Sequence, residues 1–170
     1  QEAASLNKSA RVMFRIKPFM AELDIKSDFA PDSDIREMTQ MIKYGIPTSE
    51  VLPMGPRAME LPHIEIVGIH AHMGRHSKTL DVWRSWVRHC VLTTKRLSDV
   101  MGGWTPEEIN FGGGFPSFPD CDTDLYVKGY EGPGLEEMAQ VITETLRNTL
   151  QEVGMNASGI TIEAEPGRGL

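Results

Sequence analysis

Residues 107–116 have the sequence EEINFGGGFP, in which a short strand pattern at residues 107–111 ends at three consecutive glycines. Apolar residues recur at three- and four-residue steps before this stretch, from Leu80 to Leu97, and after it, from Leu135 to Val153. That spacing predicts an amphipathic helix on either side of the strand. Strands that alternate with helices of this size are typical of parallel α/β sheets.

Three further strand patterns extend the alternation in both directions. They cover residues 11–17, 64–70 and 160–165, and two weaker helix patterns at residues 35–43 and 49–60 lie between the first two. Pro53 and Pro56 are expected to limit the second of these helices. The alternation fits a doubly wound sheet or a (β/α)8 TIM-type barrel. Because a whole barrel takes about 250 residues, this chain could supply about half of one.

The composition is that of an ordinary globular domain. Hydrophobic residues make up 40% and charged residues 24%, and the net charge of −7 is distributed without a basic block. We therefore expect no nucleic-acid partner, and the lack of a long apolar run predicts no membrane span. Two cysteines, Cys90 and Cys121, are too few for a disulfide framework. With no signal peptide visible, they favour a reducing cytoplasm.

Glycine-rich and polar segments follow the predicted strands, where parallel α/β proteins bind their ligands. The glycines at 112–114 could present backbone N–H groups to an anion such as phosphate, or form a tight turn that needs positive φ. Residues 165–168, EPGR, place a carboxylate and a guanidinium after the last strand. They could face a ligand, or form a polar turn with a surface ion pair.

Two histidines and two cations also lie near predicted strand ends. His70 and His72 should point the same way along their strand, but no third ligand at a familiar spacing accompanies them, so no metal site is predicted. An imidazole can also stack on an aromatic ligand, although His70 is better explained as a structural histidine. Arg15 interrupts an apolar strand, so it should form a buried ion pair or face the site. Lys43 belongs to a polar turn.

Taken in order, the segments RIKP, KYGI, GIHAHMG, NFGGGFP and EAEPGRG resemble the pyridoxal phosphate (PLP)-dependent decarboxylases of the ornithine/diaminopimelate/arginine group. The resemblance covers the chain from about Arg11 to Leu170. It implies that residues 1–170 form a partial (β/α)8 PLP-binding barrel of the alanine-racemase type. It also implies a homodimeric decarboxylase for ornithine, lysine, arginine, diaminopimelate or a D-isomer of one of them.

The resemblance further implies a role for each matching residue. His72 would stack on the cofactor ring and Glu165 would pair with the pyridine nitrogen. Arg15 and Lys43 match supporting positions, and Arg75 stands where the family usually has serine, so a longer cation could alter the phosphate neighbourhood or contact the substrate. The phosphate would be bound by backbone N–H groups of the three glycines, together with the segment after the last strand: Gly112, Gly113, Gly114, Gly167 and Arg168.

Two parts of the family's active site are not found in the sequence. None of the lysines has the context of the cofactor-bearing lysine, and the C-terminal β domain is absent, so we expect a segment of a longer protein. Alternatives are a racemase or aldolase on the same barrel, a non-catalytic PLP-binding protein, and a nucleotide-binding α/β domain. The racemase branch places an arginine against the pyridine nitrogen, so Glu165 favours decarboxylation.

Overall fold

The computed structural model describes residues 2–17, 43–73, 79–115 and 133–166. Four parallel strands form one sheet in the order β1-β2-β3-β4. They are β1 (Ala10–Ile16), β2 (Ile64–Ala71), β3 (Glu108–Asn110) and β4 (Thr161–Glu163). All four predicted strands are therefore present. The last ends at Glu163 rather than at residue 165, so Glu165 lies just beyond the sheet.

Four helices lie in the described ranges: α1 (Glu2–Ser5), α2 (Thr48–Met59), α3 (Leu80–Val100) and α4 (Leu135–Glu152). The predicted helices on either side of residues 107–116 correspond to α3 and α4. The helix predicted at residues 35–43 falls almost wholly outside the described residues, and Lys43 itself is not helical.

The expectation that prolines limit α2 is wrong, because the helix continues through Pro53 and Pro56. Packing accounts for this continuity. Val51 is fully buried, and a Cβ added to Gly55 would lie 2.9 Å from the sulfur of Met101. α2 thus packs tightly against the end of α3, and it keeps this packing although the two prolines each lack a backbone N–H.

The strand order decides between the two predicted architectures. In a doubly wound sheet the order reverses and helices cover both faces, whereas here the strands follow one another in sequence. Consecutive helices also contact each other, α2 with α3 and α3 with α4, which places them along the same face. A parallel sheet with sequential strands and helices on one side is a segment of a (β/α)8 barrel.

The hydrophobic core lies between this helical layer and the sheet. Trp83 and Trp86 of α3 are fully buried, as are Ile69 of β2 and Ile109 of β3. Trp83 also stacks on Phe115, with ring centroids 4.8 Å apart. The core thereby reaches Phe115, directly after the three glycines, and anchors it from the helical side.

We expect Gly68→Ala to destabilise the sheet, because a Cβ at Gly68 would lie 2.0 Å from the carbonyl oxygen of Glu108 on the neighbouring strand. Separating β2 from β3 should lower the free energy of unfolding by roughly 1–3 kcal/mol, measured by urea denaturation. Gly134→Ala is the control: its Cβ meets no atom within 4 Å, and only a modest loss at the start of α4 is expected. Equal destabilisation by both variants would contradict the close contact.

Candidate active site

A row of polar side chains crosses the sheet on the face opposite the helices. The strand register places Arg15 beside His70, His70 beside Asn110, and Asn110 beside Glu163. Arg15, His70 and Asn110 alternate with residues that are buried on the helical side, as side chains do along a strand. Since the row lies near the carboxyl ends of the strands, it faces the region where barrels bind their ligands.

The glycine loop, residues 112–114, follows β3 directly and approaches its neighbours closely. Gly112 and Gly114 have φ values of 66° and 94°. A Cβ at Gly112 would lie 2.5 Å from the carbonyl oxygen of Ala71, and one at Gly113 would lie 2.7 Å from that of Glu165. Both the positive φ angles and the short distances therefore require glycine here.

Two of the three N–H groups in the glycine loop are already used within the chain. Gly112 donates to Oδ1 of Asn110 at 2.7 Å, and Gly113 donates to Nδ1 of His72 at 2.8 Å. Among the described residues, none accepts a hydrogen bond from the N–H of Gly114. The sequence prediction assigned all three N–H groups to a phosphate. In this geometry, the N–H of Gly114 is the one of the three that remains available to a ligand.

The imidazole of His72 is fixed by the glycine loop. It lies just after β2 and is partly buried. Because its Nδ1 accepts the N–H of Gly113, a neutral ring in this position carries its proton on Nε2. The hydrogen bond sets the plane of the ring, which is what a side chain that stacks on a flat ligand requires.

Glu165 is tied to the same loop through its backbone and its side chain. Its N–H donates to the carbonyl oxygen of Gly112 at 2.9 Å. Its Oε1 accepts a hydrogen bond from Nδ2 of Asn110 at 3.1 Å and lies 3.4 Å from Nε2 of His70. The side chain remains 54% exposed. The carboxylate is thus oriented by neighbours and still open to a ligand.

Asn110 and His70 are the two residues whose contact with Glu165 the sequence analysis did not predict. The signal for Asn110 was available: it is a polar residue between buried Ile109 and Phe111, directly before the glycines. Strand alternation places it on the opposite face from these two. His70 was assigned a structural role, and its side chain adjoins the Glu165 carboxylate.

Arg15 is exposed, which corrects the expectation of a buried guanidinium. It alternates with buried Phe14 and Ile16 and so lies on the face that the helices do not cover. Its Cζ lies 5.2 Å from the ring centroid of Tyr44, and Nζ of Lys43 lies 5.3 Å from the same centroid. The two predicted supporting cations therefore meet on one aromatic ring.

The remaining predicted site residues, Arg75, Gly167 and Arg168, lie outside the described residues. Within the described ranges, no cluster of three or more His, Cys, Asp or Glu side chains could hold a metal ion. None of the helices described has the length and apolar character that crossing a membrane requires.

The pKa of His70 is set by its burial and by three neighbouring titratable groups. Burial lowers the pKa of His70, the Glu165 carboxylate raises it, and Arg15 and His72 lower it; the net effect is a pKa below the usual value. His70 is therefore neutral at neutral pH. Because its folded-state pKa is depressed, folding stability is lost as pH falls below about 6.5.

Comparison with known proteins identifies the family. Residues 3–170 match the profile described as "pyridoxal-dependent decarboxylase, pyridoxal binding domain". The chain belongs to this family. The predicted resemblance and the PLP cofactor are thereby confirmed.

Several relatives share the sequence or the fold. A diaminopimelate decarboxylase of Aquifex aeolicus is 27% identical over 168 residues, which is 99% of this chain and 34% of the relative. A diaminopimelate decarboxylase of M. jannaschii aligns with a TM-score of 0.71 at 21% identity, covering 95% of this chain and 34% of that one. An arginine decarboxylase of Paramecium bursaria Chlorella virus aligns at 0.59 and 18% identity, covering 97% and 35%.

These alignments confirm the partial barrel fold. The chain spans about a third of the length of these relatives.

We expect the pKa of His70 to be below about 6.5, and to fall further in Glu165→Gln, because the substitution removes the negative charge that stabilises the imidazolium. NMR titration of ¹⁵N-labelled histidine measures both values. Glu144→Gln, on the exposed face of α4, is the matched control and should leave His70 unchanged. An unchanged pKa in Glu165→Gln would show that the carboxylate does not act on His70.

Proposed function

We propose that the protein containing this chain is a PLP-dependent decarboxylase of a basic or diamino acid, of the diaminopimelate, ornithine, lysine or arginine type or a D-isomer of one. The observation that carries the proposal is the position of Glu165. Its half-exposed carboxylate lies against a glycine loop that also orients His72. A ring-nitrogen partner, a stacking imidazole and a close-approach loop are the groups that such a cofactor requires.

The described residues fit pyridoxal phosphate. The glycine loop packs so closely against the ends of β2 and β4 that a Cβ at Gly112 or Gly113 would collide with the backbone there. This packing holds the loop beside the His72 ring and the half-exposed Glu165 carboxylate, which are the groups that would face the cofactor. In the proposed site, Gly114 offers its N–H to the phosphate, and Gly167 and Arg168 add donors and charge. Gly112 and Gly113 act through their shape and through their bonds to Asn110 and His72.

In the proposed site, side chains of this chain bind the cofactor and orient it. His72 covers one face of the cofactor ring, held in its plane by Gly113. Glu165 keeps a proton at the ring nitrogen by placing a negative charge beside it. Bound pyridoxal phosphate supplies the electron sink that takes up the electron pair left when the substrate loses its α-carboxylate. A carboxylate at this position, rather than the arginine of the racemase branch, supports decarboxylation.

Several further assignments belong to the same proposal. Residues 1–170 form part of a PLP-binding barrel domain within a longer polypeptide, which works in the cytoplasm as a homodimer on an amino-acid substrate. Arg15 and Lys43 support the site from the β1 side, where Tyr44 brings them together. Arg75, at the position where the family usually has serine, alters the phosphate neighbourhood or contacts the substrate.

We expect Glu165→Gln to lower kcat per bound PLP about a hundredfold or more in the complete enzyme, because the amide keeps the shape and loses the charge that stabilises the transition state. A loss of that size corresponds to ~3 kcal/mol. Steady-state decarboxylation normalised to PLP content gives the value.

The control for this experiment is the PLP content itself, which should fall much less than kcat because the phosphate contacts are intact. If the Gln variant loses cofactor while the loaded fraction turns over normally, Glu165 has only a structural role.

We expect Gly113→Val to weaken PLP binding, because the side chain would enter the space beside the Glu165 backbone and the His72 ring. Titration with PLP, followed by absorbance, measures the affinity. Gly134→Val is the matched control, since it adds the same side chain at an extended backbone position with no atom within 4 Å of its Cβ. Equal PLP affinity in the two variants would refute the loop assignment.

A further inference from the structure

Asn110 connects the glycine loop to two carboxylates, that of Glu163, which ends β4, and that of Glu165, which follows β4. Its Oδ1 accepts the N–H of Gly112 at 2.7 Å. Its Nδ2 donates to Oε1 of Glu165 and to Oε2 of Glu163, each at 3.1 Å. A primary amide has two N–H hydrogens, so both are used. One side chain on β3 therefore holds the loop with its oxygen and two carboxylates with its nitrogen.

The Glu165 carboxylate depends on this amide for its orientation. Its contacts with Asn110 and His70 both fall on Oε1, and the described residues give Oε2 no partner. A glutamate side chain that is 54% exposed would otherwise rotate among several conformers. Glu163 lies on the same amide, so the two carboxylates would repel each other if the shared donor were removed.

We propose that Asn110 is a positioning residue that holds Glu165 by Oε1, so that Oε2 faces the ligand, and that couples this orientation to the glycine loop through Gly112. The identity of the ligand rests on the proposed function. The hold on Glu165 does not, because it consists of contacts within the chain.

The first experiment uses His70 as a reporter of where the Glu165 carboxylate lies. The charged and titratable groups that act on His70 are Glu165 beyond β4, Arg15 on β1 and His72 beyond β2. In Asn110→Ala the released carboxylate moves away, so the pKa of His70 should fall to the value found in Glu165→Gln. NMR titration of the complete protein without cofactor measures it.

The matched control is Asn156→Ala. Asn156 also accepts the N–H two residues ahead, that of Ser158 at 2.9 Å, but in an exposed turn before β4. It should leave the pKa of His70 unchanged. Asn110→Ser, which is too short to reach both carboxylates, replaces the alanine variant if that variant does not fold. A His70 pKa equal to that of the wild type in either Asn110 variant overturns the proposal.

The second experiment measures turnover in Asn110→Asp. This variant keeps an oxygen for the N–H of Gly112 and loses both donors to the carboxylates. The affinity for PLP should stay within about threefold, while kcat per bound PLP falls about tenfold or more, as expected for a lost hydrogen bond to a charged group. Asn156→Asp makes the same chemical change in the exposed turn and should behave as the wild type.

The two proposals fail in different ways. Normal turnover of Asn110→Asp beside an impaired Glu165→Gln overturns the positioning role and leaves the proposed function standing. Normal turnover of Glu165→Gln refutes the role of Glu165 itself, and the cofactor-free titration still decides whether Asn110 holds the carboxylate.

Discussion

The backbone of Gly112 and Gly113 lies so close to the ends of β2 and β4 that no side chain fits between them. A Cβ would come within 2.5 Å of the Ala71 oxygen or 2.7 Å of the Glu165 oxygen. That approach allows the carbonyl of Gly112 to accept the N–H of Glu165 and the N–H of Gly113 to reach His72. The candidate site thus depends on a backbone contact among three neighbouring strand ends, and its side chains are oriented from there.

The two faces of the sheet divide stability from chemistry. On the helical side, the buried Trp83 stacks on Phe115 and anchors the chain just after the glycine loop. On the other side, cations gather at β1, where Arg15 and Lys43 meet Tyr44, and carboxylates gather at β4. A charged ligand above this face experiences an electric field that runs across the strands, from the cations at β1 to the carboxylates at β4. The strand order fixes this direction.

Periodicity was enough to predict the strands, α3 and α4, because helix and strand spacing follow directly from which side chains are buried. It failed where a tertiary contact decides: α2 continues through Pro53 and Pro56, and Arg15 is exposed because one face of its strand carries no helices. The family motifs predicted the glycines, His72 and Glu165 as a group. The hydrogen-bonding role of Asn110 depends on strand register, which a single sequence does not specify.

Both groups that contact Oε1 of Glu165 are uncharged at neutral pH. Asn110 has no ionisable group, and burial together with Arg15 and His72 keeps the pKa of His70 below its usual value. A lysine or arginine in either place would hold the carboxylate more tightly but would neutralise it. A neutral amide and a neutral imidazole fix its position and leave its charge available. For a carboxylate whose proposed task is to stabilise a proton on a ring nitrogen, orientation without neutralisation is the required combination, and the row across the sheet supplies it.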